Sequence, residues 1–226
     1  MKLRTHLLRG MAALLLALMI LTAQAQQRIR LDSKSGHQGN YDWLTLPQNE
    51  LKATPEEMSR PGFSTEGWLP AIVPGTVLNT DVFNKKVPEP YYGLNNKVQK
   101  GLIPDISQVG RDYYTRWFRT EFEVPADYAG KQIWLQFDGI NYHAEVWVNG
   151  NLLSSIHGMF VQDYINVTDF VKPGEKAALA VKVIPVDVPG TWKKKDWGAF
   201  KEFHNGGDGN IGLNTTMLMS IGWDFT

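Results

Sequence analysis

The chain contains no cysteine among its 226 residues. This absence excludes disulfide bonds, thiolate metal ligands and cysteine nucleophiles. The folded protein must therefore be stabilised by packing and polar contacts alone.

An excess of charge of either sign is also missing. The 23 Lys and Arg residues balance 23 Asp and Glu residues, so the formal net charge is zero. Without a basic field, neither nucleic acid nor an anionic membrane surface is attracted over a distance. The composition therefore predicts no nucleic-acid partner.

The apolar run near the N-terminus is short. MAALLLALMIL has eleven residues, well below the roughly 20 that a membrane-spanning helix needs. A basic stretch precedes it and the small residues of Ala23-Gln24-Ala25 follow, which is typical of a secretory signal peptide. We expect residues 1–25 to be removed before Gln26, leaving no membrane span. Export without cysteine favours the periplasm or cell surface of a Gram-negative bacterium.

Motifs for metals, cofactors and nucleophiles are incomplete. The five histidines lack the paired spacing of zinc ligands, and no G-x-S-x-G nucleophile turn is present. Gly207–Gly212 matches G-x-G-x-x-G, but the preceding FKEFHNG has no strand pattern and Thr215-Thr216 argues against the following helix that this motif requires. The same loop lacks the further acidic ligands and the closing Glu of a calcium loop. The sequence therefore predicts no cofactor and no metal.

Strand patterns dominate the rest of the chain. In TRWFRTEFEV, Phe118 and Phe122 share one face while Trp117 and Arg119 share the other, which is typical of a half-buried strand. IWLQF (133–137) and AEVWV (144–148) alternate in the same way. We expect the strand tryptophans Trp134 and Trp147 to fill the core.

Turn signals separate these strands at short intervals. Asn149-Gly150 predicts a tight hairpin that returns along LLSSI, and Lys172–Glu175 separates VQDYINV from ALAVKVI. Such spacing favours an antiparallel sandwich or jelly roll. The mature length of about 201 residues suits one domain, 26–226.

Helix signals are few and short. Thr54-Pro55-Glu56-Glu57 predicts a capping box at the start of a helix that Pro61 ends. Thr76–Phe83 could form two turns after Pro74-Gly75. We expect both helices to be decorations on an all-β domain.

An irregular region rich in glycine and tryptophan extends from about residue 185 to 212, and a strand pattern then runs to the end of the sequence. A connection of this length in a compact domain is usually functional. Trp192, Trp197 and Trp223 lie in or beside it. Aromatic faces pack against the C–H faces of sugars while carboxylates accept hydroxyl protons, so tryptophan beside aspartate indicates a carbohydrate surface.

Several stretches, taken in order, resemble the N-terminal domain of glycoside hydrolase family 2, in its β-mannosidase, endo-β-mannosidase and exo-β-glucosaminidase branch. They are GWLPAIVPGTVLNTDV, VPEPYYGLNN, GRDYYTRWFRTEFEV, LQFDGINYHAEVWVNG, GGDGNIG and IGWDFT. The resemblance runs from about residue 41 to residue 226. It implies a galactose-binding-like jelly-roll sandwich.

The same resemblance implies a role as the first of several domains. An immunoglobulin-like sandwich and a TIM barrel would follow, and the barrel would carry the two glutamates of retaining hydrolysis. A barrel needs about 250 residues, and none of it is present here. We therefore expect no hydrolysis by this chain alone, and a β-linked oligosaccharide or glycan as the ligand of the parent enzyme.

Site residues follow from the resemblance position by position. Trp223 and Asp224 match a Trp-Asp pair that reaches the terminal sugar in these relatives. Glu89, before Pro90-Tyr91-Tyr92, matches a position near the same pocket where the family more often has Asp or Asn. Phe225 stands where a second tryptophan is more common.

Two other interpretations remain open at this point. The chain could be a free-standing carbohydrate-binding module, or a structural adhesin domain that leaves the Trp-Asp pair unexplained. Because the sequence ends in or just after a strand pattern, we expect it to be part of a longer polypeptide.

Overall fold

A computed structural model describes residues 27–104, 109–158 and 161–185. The chain divides into two compact units, Met1–Arg30 and Leu31–Thr226. The described residues of the first unit, 27–30, contain no helix or strand. The expected signal peptide and most of the glycine-rich and tryptophan-rich region lie outside the described residues.

Two antiparallel sheets form the described part of the second unit. The large sheet has six strands in the order β2-β1-β3-β8-β5-β6, and the small sheet pairs β4 with β7. The strands are β1 Leu44–Pro47, β2 Leu69–Pro70, β3 Arg116–Glu123, β4 Trp134–Phe137, β5 His143–Val148, β6 Asn151–His157, β7 Asp163–Asn166 and β8 Lys176–Ile184. The sequence predicted β3 to β8, whereas the short strands β1 and β2 carry too few residues to show a period.

Helices within the described ranges are short. They are α1 Pro55–Met58, α2 Val77–Phe83 and α3 Arg111–Tyr114, with 3-10 turns at Gln48–Glu50, Val98–Lys100 and Ala126–Tyr128. The predicted capping box is confirmed, because the Thr54 side chain accepts from the Glu57 amide and the Glu57 side chain accepts from the Thr54 amide. Among these residues no helix has the length and apolar character needed to cross a membrane.

The hairpin between β5 and β6 turns where the sequence predicts it. Asn149 and Gly150 have φ angles of 49° and 86°, as a two-residue turn with both central residues left-handed requires. The Asn149 side chain also donates to the Phe170 carbonyl at 2.7 Å and accepts from the Ala178 amide at 2.9 Å. The turn is therefore tied to the neighbouring strand and to the 167–171 turn.

The main core lies between the two sheets. The inward faces of β3, β5 and β8 contribute alternate residues, and the small sheet closes the core from the other side. Its buried members include Phe118, Phe122, Val146, Ile165, Leu179 and Val181. This arrangement confirms the predicted all-β sandwich of antiparallel sheets with short helices.

A second core covers the other face of the large sheet. The prediction of a half-buried β3 is wrong, because Trp117 is completely buried and Arg119 is only 4% exposed. Met58, at the end of α1, packs with Trp117, Trp147 and Ala180 beneath the 51–68 segment. Fully burying a Met side chain contributes about 1.5–3 kcal/mol, so this segment is part of the folded unit and not a loose decoration.

A buried arginine connects this covering segment to the sheet. The Arg119 guanidinium donates to the Met58 carbonyl at 2.7 Å, to the Arg60 carbonyl at 2.8 Å and to Glu121 Oε1 at 2.5 Å. Gly62 N donates to the same Glu121 oxygen at 2.8 Å. Burial alone would raise the pKa of Glu121, but the hydrogen bonds from Arg119 and Gly62 hold it below its ordinary value.

The two strand tryptophans, Trp134 and Trp147, differ in burial. Trp147 is buried in the second core, as expected. Trp134 is 49% exposed, so the expectation that it fills the core is wrong. It points away from the sandwich because the core-facing positions of β4 belong to Leu135 and Phe137.

Candidate functional site

The predicted site residues divide between described and undescribed parts of the chain. Glu89 is described, in the loop that follows α2. Trp223 and Asp224 lie outside the described residues, as do Trp192 and Trp197. The structure therefore gives the geometry of one of the three predicted sugar-binding residues.

Helix α2 leads directly into the Glu89 loop. Its start is capped by Thr76, whose hydroxyl accepts from the Asn79 amide at 3.0 Å. Its end is held by Asn84, whose side-chain amide donates to the carbonyls of Pro70 and Thr80, both at 2.8 Å. Side chains therefore form hydrogen bonds with backbone groups at both ends of the helix. These bonds fix where the chain leaves the helix toward Glu89.

A buried ion pair anchors the same helix to the large sheet. Arg116 Nη2, at the start of β3, lies 2.9 Å from Asp81 Oδ2 and 3.2 Å from Asp81 Oδ1. Both side chains are at least 90% buried. Burial raises the pKa of the Asp81 carboxyl above its ordinary value, and the charges of Arg116 and Lys86 offset only part of the rise.

Asp81 is also hydrogen-bonded, through its backbone, to the turn before Glu89. Lys86 N donates to the Asp81 carbonyl at 2.8 Å, and Lys85 N donates to the Val82 carbonyl at 2.9 Å. Lys85 has a positive φ of 58°, which reverses the chain at this point. The position of Glu89 therefore depends on an ion pair between residues 35 positions apart in the sequence.

Glu89 itself lies on an exposed turn. Its carbonyl accepts from Tyr92 N at 3.3 Å and from Asn95 Nδ2 at 2.9 Å. Among the described residues, its carboxylate accepts a long bond from Tyr91 N, at 3.4 Å. Tyr91 and Tyr92, next in sequence, are among the most exposed aromatic residues of the described chain, at 67% and 77%.

An open depression of about 420 Å³ lies beside this carboxylate. It is lined by Val82, Lys85, Lys86, Val87, Pro88 and Glu89. Glu89 is the one carboxylate among these lining residues, and no basic side chain of the described ranges forms an ion pair with it. A free carboxylate of this kind accepts hydrogen bonds from hydroxyl groups, whereas glycoside hydrolysis needs two carboxyl groups that face one bond.

A histidine pair occurs elsewhere, at the end of the β5–β6 ladder. His143 and His157 face one another with ring centroids 4.3 Å apart, and His143 Nε2 lies 2.9 Å from Ser155 Oγ. Sequence spacing does not reveal this pair, because cross-strand register brings the two residues together. In the part of the chain that the structure describes, no group of three metal-ligating side chains is found.

The sequence also matches a family of known proteins. Residues 49–226 match the family described as Glycosyl hydrolase 2 galactose-binding domain-like. Mannosylglycoprotein endo-beta-mannosidase of Lilium longiflorum is 40% identical over 186 residues, which cover 81% of this chain and 18% of that protein. Exo-beta-D-glucosaminidase of Amycolatopsis orientalis is 30% identical over 133 residues, which cover 58% of this chain and 12% of that protein. The chain thus spans less than a fifth of the length of these curated relatives.

A solved structure has the same fold. The exo-chitosanase CsxA of Amycolatopsis orientalis aligns with a TM-score of 0.54 at 24% sequence identity, covering 67% of this chain and 17% of that chain. Together with the family match, this similarity confirms the expected galactose-binding-like jelly-roll sandwich.

Proposed function

Because the chain belongs to the glycosyl hydrolase 2 galactose-binding domain-like family, we propose that it is the non-catalytic N-terminal domain of a β-mannosidase-like retaining glycosidase. In this proposal the domain supplies one wall of the terminal-sugar subsite, with Glu89, Trp223 and Asp224 as its sugar-binding residues. A downstream immunoglobulin-like domain and a TIM barrel of the same polypeptide would carry the catalytic glutamates. The ligand would be a β-linked oligosaccharide or glycan.

The observation that carries this proposal is the placement of Glu89. The Glu89 carboxylate, which has no ion-pair partner in the described ranges, stands on an exposed turn at the edge of an open depression, beside two exposed tyrosines. The turn is held by helix α2, which is itself anchored through Asp81 and Arg116. Such a carboxylate can accept two sugar hydroxyls at a defined position, and a binding wall needs this geometry.

Export completes the proposal. Residues 1–25 would direct the polypeptide across the inner membrane of a Gram-negative bacterium and then be removed. Residues 26–226 would form the mature N-terminal domain, in the periplasm or at the cell surface. Its stability without cysteine rests on the two cores and on buried polar contacts such as those of Arg119.

Substitutions in the full-length enzyme test the sugar contacts. Asp224→Ala should reduce transition-state stabilisation by roughly 2–4 kcal/mol, the scale of a lost charged hydrogen bond, measured as kcat/KM on an aryl β-mannoside. Glu89→Gln keeps the shape but removes the charge, and should cost about 1.5–3 kcal/mol. Glu56→Gln, an exposed carboxylate on α1, is the matched control and should leave kcat/KM unchanged.

Two results would overturn the assignment. Unchanged kinetics in a properly folded Asp224→Ala variant would remove that residue from the subsite, and equal effects of Glu89→Gln and Glu56→Gln would remove Glu89. Calorimetry with β-linked manno- and glucosamine oligomers tests the free-standing module instead. Binding by residues 26–226 alone, at millimolar or lower Kd, would favour that module if Asp224→Ala abolishes it, because half of a terminal-sugar pocket should not bind.

A further inference from the structure

The outward face of the small sheet carries two exposed aromatic residues. Strands β4 and β7 alternate strictly, with Leu135 and Ile165 in the main core. Their other face presents Trp134, Gln136, Tyr164 and Asn166, all exposed, and we call these four residues the small-sheet face. Trp134 is 49% exposed and Tyr164 is 51% exposed.

Strand register defines how the two rings lie. Trp134 is opposite Asn166 and Gln136 is opposite Tyr164, so Trp134 and Tyr164 are diagonal neighbours across the pair. Diagonal neighbours in an antiparallel pair are about 7–8 Å apart, close enough for two aromatic side chains to form one continuous surface. Each ring is flanked by an amide, along its own strand or across the pair.

Hydrogen bonds order the polar groups around these rings. Gln136 Nε2 donates to Asp138 Oδ1 at 2.7 Å, and the Tyr164 hydroxyl lies 3.4 Å from Gln162 Oε1. The Asn166 side-chain oxygen accepts from the Thr168 hydroxyl at 2.6 Å and from the Thr168 amide at 3.0 Å. These contacts hold the amides in place before any ligand arrives, which lowers the entropy cost of binding.

The chemistry of this face indicates the class of its ligand. None of the four residues of the small-sheet face is charged, and the carboxylate hydrogen-bonded to Gln136 is that of Asp138. A phosphate or an acidic peptide would therefore meet no positive charge here. Two flat rings interspersed with ordered amides match a ligand with apolar faces and many hydroxyls. A β-1,4-linked pyranose chain is such a ligand, because its equatorial linkages extend it into a ribbon with C–H faces and hydroxyl edges.

We infer that the small-sheet face binds a neutral β-linked glycan chain, with Trp134 and Tyr164 packing against sugar rings while Gln136 and Asn166 hydrogen-bond hydroxyl groups. The inference involves different residues from those proposed to contact the terminal sugar, and it does not depend on that proposal. It would retain the protein on a polymeric substrate and not select the terminal sugar. Exposed aromatic patches usually mark interaction surfaces. The inference therefore gives a reason for the half-exposed tryptophan on a regular strand.

The parent protein of this test is the Asp224→Ala variant of the intact polypeptide that carries residues 1–226. Every further variant is made in this parent, so that the proposed contact of Asp224 with the terminal sugar is absent from all samples. Calorimetry with mannohexaose and cellohexaose gives the Kd. The parent should bind at least one of them, and Trp134→Ala and Tyr164→Ala should each weaken binding at least about tenfold, as expected of aromatic hot-spot residues. Trp134→Phe retains a flat ring and should lose less than Trp134→Ala.

Leu152→Ala is the matched control. Leu152 is a strand residue of similar exposure, at 52%, in β6 of the other sheet, and its truncation should leave Kd unchanged. Circular dichroism and the Tm verify that each variant is folded. Failure of the parent to bind either oligosaccharide at about 1 mM, or equal Kd values for Trp134→Ala and Leu152→Ala, would overturn the inference without affecting the kinetic test of Asp224.

Discussion

The buried pair of Asp81 and Arg116 supports a quantitative prediction about stability. Asp81→Ala leaves the Arg116 guanidinium buried without its carboxylate, and in the described residues Arg116 Nε already lacks a hydrogen-bond partner. Removing one member of a buried ion pair typically costs about 3–5 kcal/mol, because the remaining charge is uncompensated. We expect Asp81→Ala to lower the free energy of unfolding by this amount.

Replacing both partners should have a different outcome. The raised pKa of Asp81 indicates that burial disfavours the charged carboxylate more than Arg116 and Lys86 favour it. Buried ion pairs can often be replaced by well-packed apolar side chains without loss of stability, because the cost of desolvating the charges disappears with them. We expect Asp81→Leu/Arg116→Met to be at least as stable as the wild type, by a margin of up to about 4 kcal/mol.

Urea unfolding at pH 7, followed by tryptophan fluorescence, measures these differences. Asp42→Ala is the matched control because Asp42 pairs with Lys34 at 2.7 Å on the surface, with both side chains more than half exposed. An exposed pair contributes about 0–1 kcal/mol, so this variant should be close to wild type. The reasoning is refuted if Asp81→Ala is no less stable than Asp42→Ala, or if the double variant is as unstable as Asp81→Ala.

Three further predictions use the same titration. Met58→Ala removes a fully buried side chain from the second core and should cost about 2–5 kcal/mol; a loss below about 1 kcal/mol would contradict the packing. Thr54→Ala removes the capping box of α1 and should cost about 1 kcal/mol; a greater loss than that of Met58→Ala would be inconsistent with this ranking. Burial and the adjacent His157 hold the pKa of His143 below its ordinary value of 6.5, so between the two pKa values the unfolded chain binds more protons than the folded one. The free energy of unfolding should therefore fall as pH drops below about 6.5, and His143→Gln, which can still bond Ser155, should make this fall shallower; an unchanged pH profile would rule His143 out as its source.

Local patterns in the sequence predicted most of the strands and helices. The turn at Asn149-Gly150 and the capping box at Thr54 involve residues within three positions of one another. Both can therefore be predicted from the local sequence. The period of two in β3 and β5 likewise reports which residues share a face. These features depend on backbone geometry, which is the same wherever the strand lies in the molecule.

Burial of the second face could not be predicted in the same way. Trp117 and Arg119 share a strand face, as the alternation states, but the 51–68 segment that covers them comes from about sixty residues earlier in the chain. Trp134 alternates just as clearly and remains exposed, because no described segment lies over β4. The alternation of residues along a strand identifies its two faces. It does not indicate which other segment, if any, packs on each face.

For the candidate site, too, local sequence and long-range packing contribute different information. Residue order and residue identity were enough to predict the all-β class and the family, and both predictions are confirmed. The same reasoning gave Glu89 as a sugar contact, which stays a prediction. Assembly of the fold decides that Glu89 stands beside an open depression, without an ion-pair partner among the described residues. It also decides that Asp81 and Arg116 anchor the loop of Glu89 and that Trp134 and Tyr164 are exposed diagonal neighbours. The physical reason is that each of these contacts joins residues far apart in the chain, and long-range packing depends on how whole sheets and helices assemble and not on the local pattern of any one of them.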